Sequence, residues 1–167
     1  MPLHVVIDGY NLIGSVAGLR GKLEALRNRL IRELREYQEK KGYPITVVFY
    51  GWRSGWINEV EERLDGIRVI YSKQGEKADS VILRLAREMG SGCVVVSSDR
   101  EVQSGAEACG AVPVHAGEFR AKLGRHTSDD FVEEDERLRE SRVEGKKGNP
   151  RKLSKRERRK RERLRKL

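Results

Sequence analysis

Three aspartates in this chain stand where carboxylates could share a metal ion. Asp8 ends the apolar run LHVVI, Asp99 follows the run GCVVVS, and Asp79 lies in the first turn of a helical pattern. Ligands of an open parallel α/β sheet bind outside the carboxyl ends of its strands, so the three can meet if the first and fourth strands are neighbours. Clustered carboxylates repel one another unless a cation lies between them, and hard oxygen ligands suit Mg²⁺ or Mn²⁺. The sequence therefore predicts a metal site.

Each of these residues also has a purely structural interpretation. Asp8 and Asn11 could form an Asx-type turn, Asp99 could cap a helix, and Asp79 could favour the positive end of its helix. Any one of the three would be weak support for chemistry. Their shared placement at one sheet edge favours the metal site over three separate structural roles.

Alternating apolar runs and helical patterns define the elements that must position these residues. The runs are rich in β-branched residues and mostly too continuous for half-exposed strands, which predicts five strands buried on both faces. These predicted strands are 3–7, 44–50, 67–71, 92–97 and 111–115. The predicted helices are 20–41 and 77–89, with weaker ones at 57–64, 100–109 and 117–123.

This order of elements predicts the architecture of the body. A βα alternation gives a parallel sheet with helices on both faces and right-handed crossovers. We expect a three-layer α/β domain over 1–124 with a central parallel sheet of about five strands. The remaining residues, 125–167, read as a charged linker and a basic tail, with a helical stretch across 129–140.

Positive charge is concentrated in the last part of the chain. Residues 141–167 hold 14 of the 35 Lys and Arg residues but 3 of the 26 Asp and Glu residues, so they carry +11 and the residues before them −2. Such a block predicts an arm for a polyanion such as RNA, with a solubilising tail or an anionic membrane surface as alternatives. With so few apolar residues it should be disordered, or helical on binding, and dispensable for folding. The residues expected to bind RNA are Arg151, Lys152, Lys155, Arg156, Arg158, Arg159, Lys160 and Arg161.

Other classes of protein lack their signatures here. No glycine spacing fits a dinucleotide or P-loop site, and no serine or cysteine nucleophile is grouped with a histidine. Cys93 and Cys109 have neither the spacing of a zinc knuckle nor that of a redox pair. No stretch suits a signal peptide or a membrane span, so we expect a cytoplasmic protein with no membrane partner.

Three segments together resemble a known family. VIDGYNLIG, GEKADSVILRLA and VVVSSDREVQ, in this order and followed by VHAGEFRAKL, look like the YacP-like branch of the NYN domains, in the PIN-like nuclease group. The resemblance covers about 3–124. It implies a PIN-like sheet whose first strand is central and beside the fourth. It also implies a Mg²⁺- or Mn²⁺-dependent endoribonuclease acting on RNA, and it suggests mRNA cleavage on the ribosome.

The resemblance assigns roles to individual residues. Asp8, Asn11, Asp79 and Asp99 match the catalytic positions; the three aspartates would bind metal, and Asn11 would hold their geometry or touch substrate. Ser98 and Arg100, beside Asp99, are expected to contact substrate. Independently of the resemblance, Trp52 and Arg53 in the loop after the second strand could stack on unpaired bases and touch phosphate, with ordinary packing and solvation as the alternative.

Departures from the family pattern keep a second function open. Relatives often place an acid after the second strand, where this chain has Tyr50 and Gly51, and another in the helix at Leu83. Glu101 also stands one position earlier than the acid expected there. The alternative is therefore a non-catalytic RNA- or ribosome-binding protein that keeps the PIN-like fold.

Overall fold

The structure, a computed structural model, describes residues 3–14, 23–51, 57–124 and 154–167. The predicted helical stretch at 129–140 lies outside these ranges, as do Trp52 and Arg53. Within them the strands are β1 (His4–Asp8), β2 (Ile45–Phe49), β3 (Val60–Leu64), β4 (Ile67–Tyr71), β5 (Cys93–Val96) and β6 (Val112–Val114). The helices are α1 (Gly9–Gly14), α2 (Leu23–Lys41), α3 (Ala78–Met89), α4 (Arg100–Ala108), α5 (Ala116–Gly124) and α6 (Lys155–Lys166), with a 3₁₀ turn at Gly90–Gly92.

The strands form one mixed sheet in the order β3-β4-β2-β1-β5-β6. Every neighbouring pair is parallel except β3 with β4. β1 lies between β2 and β5, and β5 is the fourth of the strands predicted from the sequence. The prediction of a parallel α/β sheet with a central first strand is thus confirmed.

The prediction of a helix over 57–64 is wrong. Val60–Leu64 instead forms β3, an edge strand antiparallel to β4. Asp65 and Gly66 connect the two strands, and both have positive φ, 53° and 83°. A two-residue turn with both φ angles positive matches the right-handed twist of a hairpin, and Asp-Gly is a preferred sequence for it. Those two residues were the signal that sequence analysis missed.

Helices cover both faces of the sheet. Leu30, Leu34 and Tyr37 of α2 are buried on one face, where the rings of Tyr37 and Phe119 of α5 lie 5.4 Å apart, centroid to centroid. On the other face α3 and α4 pack on β1, β2 and β5 through a second cluster that includes Val81 and Val102. Each fully buried side chain of this size contributes about 1.5–3 kcal/mol, so both layers hold the sheet in place.

The basic C-terminal segment differs from its prediction. Ser154 and Glu157 form a reciprocal capping box, and the helix α6 follows it. Leu167 is only 1% exposed and Leu164 packs beside it on the main core. The carbonyl oxygen of Leu167 also accepts a 2.7 Å hydrogen bond from Tyr37 Oη. In the structure the described part of this segment, 154–167, is helical and packed against the body. The proposed division at residue 124 stays a prediction.

α6 lies along β6, the last strand of the sheet, and three of its arginines bind groups of the body. Arg156 pairs with Glu107 at 2.7 Å, Arg159 donates to the carbonyl of Gly110, and Arg163 donates to that of Ser91. Covering an edge strand hides backbone groups that would otherwise template pairing with another chain. Two of the arginines expected to bind RNA, Arg156 and Arg159, therefore contact the body.

Candidate active site at the carboxyl edge of the sheet

Asp8 is the buried centre of the site. It ends β1 and is 8% exposed, and Ser97 Oγ donates a 3.2 Å hydrogen bond to its Oδ2. The backbone N–H of Asn11 donates to the same carboxylate, so Asp8 also caps the short helix α1. Gly9 follows Asp8 and lets the ring of Phe49 approach the backbone, because a Cβ at this position would collide with that ring.

Burial raises the pKa of the Asp8 carboxyl from 3.8 to about 6. The carboxylates of Asp79 and Asp99 raise it as well, whereas the hydrogen bonds from Ser97 and Asn11 lower it. Those hydrogen bonds favour the charged form but do not outweigh burial. The protein therefore holds a carboxylate whose ionisation costs more than it does in water, and a nearby positive charge would offset that cost.

Asp79 and Asp99 reach this edge from two different helices. Asp79 lies in the first turn of α3, and Asp99 is the N-cap of α4, where its side chain accepts from the backbone N–H of Glu101 at 2.8 Å. The structural roles considered for these residues thus exist in the fold. They do not explain why the carboxylates of Asp79 and Asp99, from two different helices, both act on the buried Asp8.

A hydrogen-bond network fixes the loop between β5 and α4. Asn11 Oδ1 accepts from both the backbone N–H and the Oγ of Ser98, at 2.8 and 2.9 Å. Ser97 Oγ accepts from the backbone N–H of Asp99, and Gln103 Nε2 donates to the carbonyl of Ser97 at 2.8 Å. Asn11 therefore ties α1 to this loop and sets the position of Asp99 relative to Asp8.

Sequence analysis missed Ser97 and Gln103. It expected Ser98 to contact substrate and did not consider Ser97, whose fully buried side chain is the one that contacts Asp8. Both faces of the preceding strand are buried, so the alternation of its side chains does not indicate which serine contacts Asp8. Gln103 stands one helical turn after Asp99, which places its amide back toward the loop.

The donor chemistry of the edge fits a divalent cation, although the ligands are not gathered into a closed cage. In the described part of the chain no three Asp, Glu, His or Cys side chains are grouped closely enough to hold a metal ion between them. Mg²⁺ usually keeps several waters and binds through one or two carboxylates plus substrate phosphates, so it does not need such a cage. Asp8 with one neighbouring carboxylate satisfies that requirement.

The fold and this edge can be compared with known proteins. The family model described as "YacP-like NYN domain" matches residues 5–166. The chain belongs to the YacP-like NYN domain family. Rae1 (YacP) from Bacillus subtilis is similar in structure, with a TM-score of 0.60 and 26% identity over 86% of this chain and 80% of that one. A mutant of Rae1 gives a TM-score of 0.62 and 26% identity, covering 85% and 82%. No curated protein sequence matched this chain.

The match extends beyond residues 3–124, the part of the chain whose motifs resemble the family. It runs through α6, so the YacP-like NYN domain model includes the basic C-terminal helix as well as the sheet. This agrees with the packing of Leu164 and Leu167 on the core. NYN domains belong to the PIN-like group of nuclease folds, and the sheet order found here is of that kind.

Two departures from the YacP-like NYN pattern have a local structural reason. A Cβ at Gly51 would overlap the carbonyl oxygen of Ser72, so no acid fits at that position without moving the backbone. Leu83 packs its side chain on Gly105 of α4, where it serves contact between two helices. The positions at which an acid was expected are used for packing in this member of the family.

The remaining predicted residues are placed as follows. Ser98, Asp99 and Arg100 are exposed at the start of α4, beside Asp8. Trp52, Arg53, Arg151 and Lys152 lie outside the described residues. Lys155, Arg158 and Arg161 are exposed on α6, while Lys160 is half-buried. In the described ranges no helix is both long and apolar enough to span a bilayer.

Proposed function

We propose that this protein is a Mg²⁺- or Mn²⁺-dependent endoribonuclease that hydrolyses phosphodiester bonds in single-stranded RNA. One observation carries the proposal. Asp8 is held buried, with its pKa at about 6, next to the carboxylates of Asp79 and Asp99. Burial and the two nearby carboxylates make ionisation of Asp8 costly in the metal-free fold, whereas a bound cation would be attracted by all three groups.

Asp8 would hold the ion together with Asp79 or Asp99. The chemistry that such an ion supplies is a lower pKa for a coordinated water and neutralisation of charge that develops on the phosphate. Ser97 orients the Asp8 carboxylate through its hydroxyl, and Asn11 fixes the loop that presents Asp99. The protein's own contribution is thus a preset geometry, which avoids reorganisation during the reaction.

The α6 helix supports an RNA substrate. Its outward residues Lys155, Arg158 and Arg161 are exposed, and the helix is fixed to the body rather than trailing from it. We propose that these residues bind RNA phosphates, and that Trp52 and Arg53 stack on and contact the strand near the edge. Membership in the YacP-like NYN family further supports cytoplasmic mRNA, cut on the ribosome, as the substrate.

A non-catalytic RNA-binding role is the second candidate. Two positions where further acids were expected favour this candidate. Gly51 leaves no room for a side chain, and Leu83 packs against α4. The two candidates assign different roles to Asp8, Asp79 and Asp99. In a nuclease their removal stops the reaction, whereas in a binding protein it leaves RNA affinity intact and there is no reaction to stop.

Variants that remove one carboxylate at a time test the proposal. Purified wild-type protein and its Asp8→Asn, Asp79→Asn and Asp99→Asn variants are incubated with an unstructured RNA in Mg²⁺ or Mn²⁺. The matched control is Asp65→Asn, which removes the same charge from an exposed turn. We expect cleavage by the wild type and the control and none by the three variants. Cleavage by Asp8→Asn at the wild-type rate would refute the site.

A further inference from the structure

Arg27 occupies an unusual position on α2. Its guanidinium carbon Cζ lies 5.5 Å from the ring centroid of Tyr71 and 6.0 Å from that of Phe49. The two rings are stacked at 5.8 Å with an interplanar angle of 25°, and Tyr10 tilts onto Phe49 at 5.0 Å. Phe49 and Tyr71 thus form an aromatic base for one arginine, at distances where a cation is attracted to the ring faces, and Tyr10 packs on Phe49.

This aromatic base lies at the same sheet edge as the proposed active site. Phe49 ends β2 and Tyr71 ends β4, and the two residues are paired across the strands. Asp8 pairs with Val48, the residue before Phe49, and Tyr10 follows Asp8 by two positions. Phe49 and Tyr71 face the α2 side of the sheet, whereas Asp8, which pairs with Val48, faces the α3 side. Arg27 and Asp8 therefore lie on opposite faces of the sheet, at the same carboxyl edge.

Arg27, like Arg32, differs from two other arginines of α2 in having no carboxylate partner among the described residues. Arg29 pairs with Glu33 at 3.2 Å and Arg35 with Glu39 at 3.3 Å. Among the described residues no ion pair involves Arg27, although Glu24 and Glu62 lie close enough to Tyr71 to affect the pKa of its hydroxyl.

These features suit a group that binds an anion arriving from outside. A guanidinium fixed over aromatic rings keeps its N–H donors available and already oriented, so less side-chain freedom is lost when a phosphate binds. Arginine also binds phosphate through two parallel hydrogen bonds, which lysine cannot do. The alternative is that the stem of Arg27 only covers apolar surface.

We propose that Arg27 is a substrate-binding residue that holds a backbone phosphate of single-stranded RNA next to the phosphodiester cut at Asp8. The proposal rests on the proposed function and adds a second contact that sets the position of the strand. Phe49 and Tyr71 act through Arg27 by fixing its orientation. In this proposal the bound phosphate belongs to the same RNA strand, which passes over the carboxyl ends of β1, β2 and β4 between Asp8 and Arg27.

RNA binding measured without cleavage tests this assignment. The Asp79→Asn variant serves as the background, and an unstructured oligoribonucleotide is titrated over a range of salt concentrations. Adding Arg27→Ala should lower the affinity about tenfold, because a charge-assisted hydrogen-bonded pair is lost. It should also reduce the slope of log affinity against log salt by about 0.7, the value for one phosphate on a single strand.

Two further variants separate the charge from the geometry. Arg29→Ala removes the same charge from the same helix, at a side chain that is 70% exposed and paired with Glu33. It should leave both affinity and salt slope unchanged. Arg27→Lys keeps the charge but not the paired donors, so it should keep the salt slope while losing affinity. It also carries the test if Arg27→Ala fails to fold.

The outcomes distinguish this inference from the proposed function. If the wild type cleaves RNA but Arg27→Ala binds it as Arg29→Ala does, Arg27 has no substrate-binding role and the nuclease assignment stands. Unchanged affinity in Arg27→Lys would show that bulk charge is sufficient, which also overturns the assignment. If the wild type neither binds nor cleaves the RNA, both proposals fail.

Discussion

Replacing Asp8 with asparagine should stabilise the metal-free protein, and by an amount that depends on pH. In the folded protein the pKa of Asp8 is about 6, compared with an ordinary value of 3.8. That difference makes ionisation in the folded state cost about 3 kcal/mol more than in the unfolded state. Asparagine cannot ionise, so the variant avoids this cost while its side-chain oxygen can still accept from Ser97.

The sign follows from proton binding. Between pH 3.8 and about 6 the folded wild type binds more protons than the unfolded chain, so its free energy of unfolding falls as pH rises. Below that window Asp8 is neutral in both states and the variant should be equal to the wild type or about 1 kcal/mol less stable, through a weakened hydrogen bond. Above it the variant should be more stable by up to about 3 kcal/mol.

Urea denaturation of both proteins at several pH values between 4 and 8, in chelator, measures this difference. For a chain of this length about 3 kcal/mol corresponds to about 6–12 °C in Tm, so thermal melting reports it as well. Asp65→Asn is the control, because that carboxylate is exposed in a turn and asparagine tolerates its positive φ. A stability difference between Asp8→Asn and wild type that stays constant from pH 4 to 8 would refute the account of Asp8.

Three further predictions concern the surrounding structure. Leu167→Ala should lower the free energy of unfolding by about 2 kcal/mol, measured by urea denaturation, because Leu167 is buried; an unchanged value would show that α6 is not docked. Asn11→Ala should slow RNA cleavage less than Asp8→Asn does, since its amide positions the loop without holding charge; equal loss in single-turnover rates would make Asn11 a primary catalytic residue. The hydrogen bond from Ser97 lowers the pKa of Asp8, so Ser97→Ala should raise that pKa and shift the acidic limb of the cleavage pH profile to higher pH; an unmoved limb would contradict that coupling.

Long buried strands were predictable from the sequence because their apolarity is continuous. The run over 93–96 is fully buried and lies next to β1, as expected, and this placed Asp8 and Asp99 at one edge. β3 was not predictable in the same way. Its sequence VEERL is charged and its side chains are mostly exposed, so it lacks the apolar pattern that indicates a buried strand. Only the Asp65–Gly66 turn identified it.

Contacts that depend on the direction of a single side chain were also not predictable from the sequence. Ser97 and Ser98 are chemically equal neighbours, and only the end of the strand decides that Ser97 faces Asp8 while Ser98 faces Asn11. The docking of α6 depends on two leucines within a strongly basic helix, a signal too weak to outweigh the charge. Arg27 shows no motif at all, because Arg27 and its aromatic partners come from three distant parts of the chain.

The central claim is tested most directly by the dependence of RNA cleavage on the divalent ion. Wild-type protein is stripped with chelator, and cleavage of an unstructured RNA is then followed as Mg²⁺ or Mn²⁺ is added back. Asp79→Asn protein, purified in parallel, accounts for contaminating ribonuclease. We expect no cleavage in chelator, recovery of the full rate on addition of either ion, and no recovery in the variant. Cleavage by the wild type at its full rate in chelator, or equal cleavage by Asp79→Asn, would contradict the account.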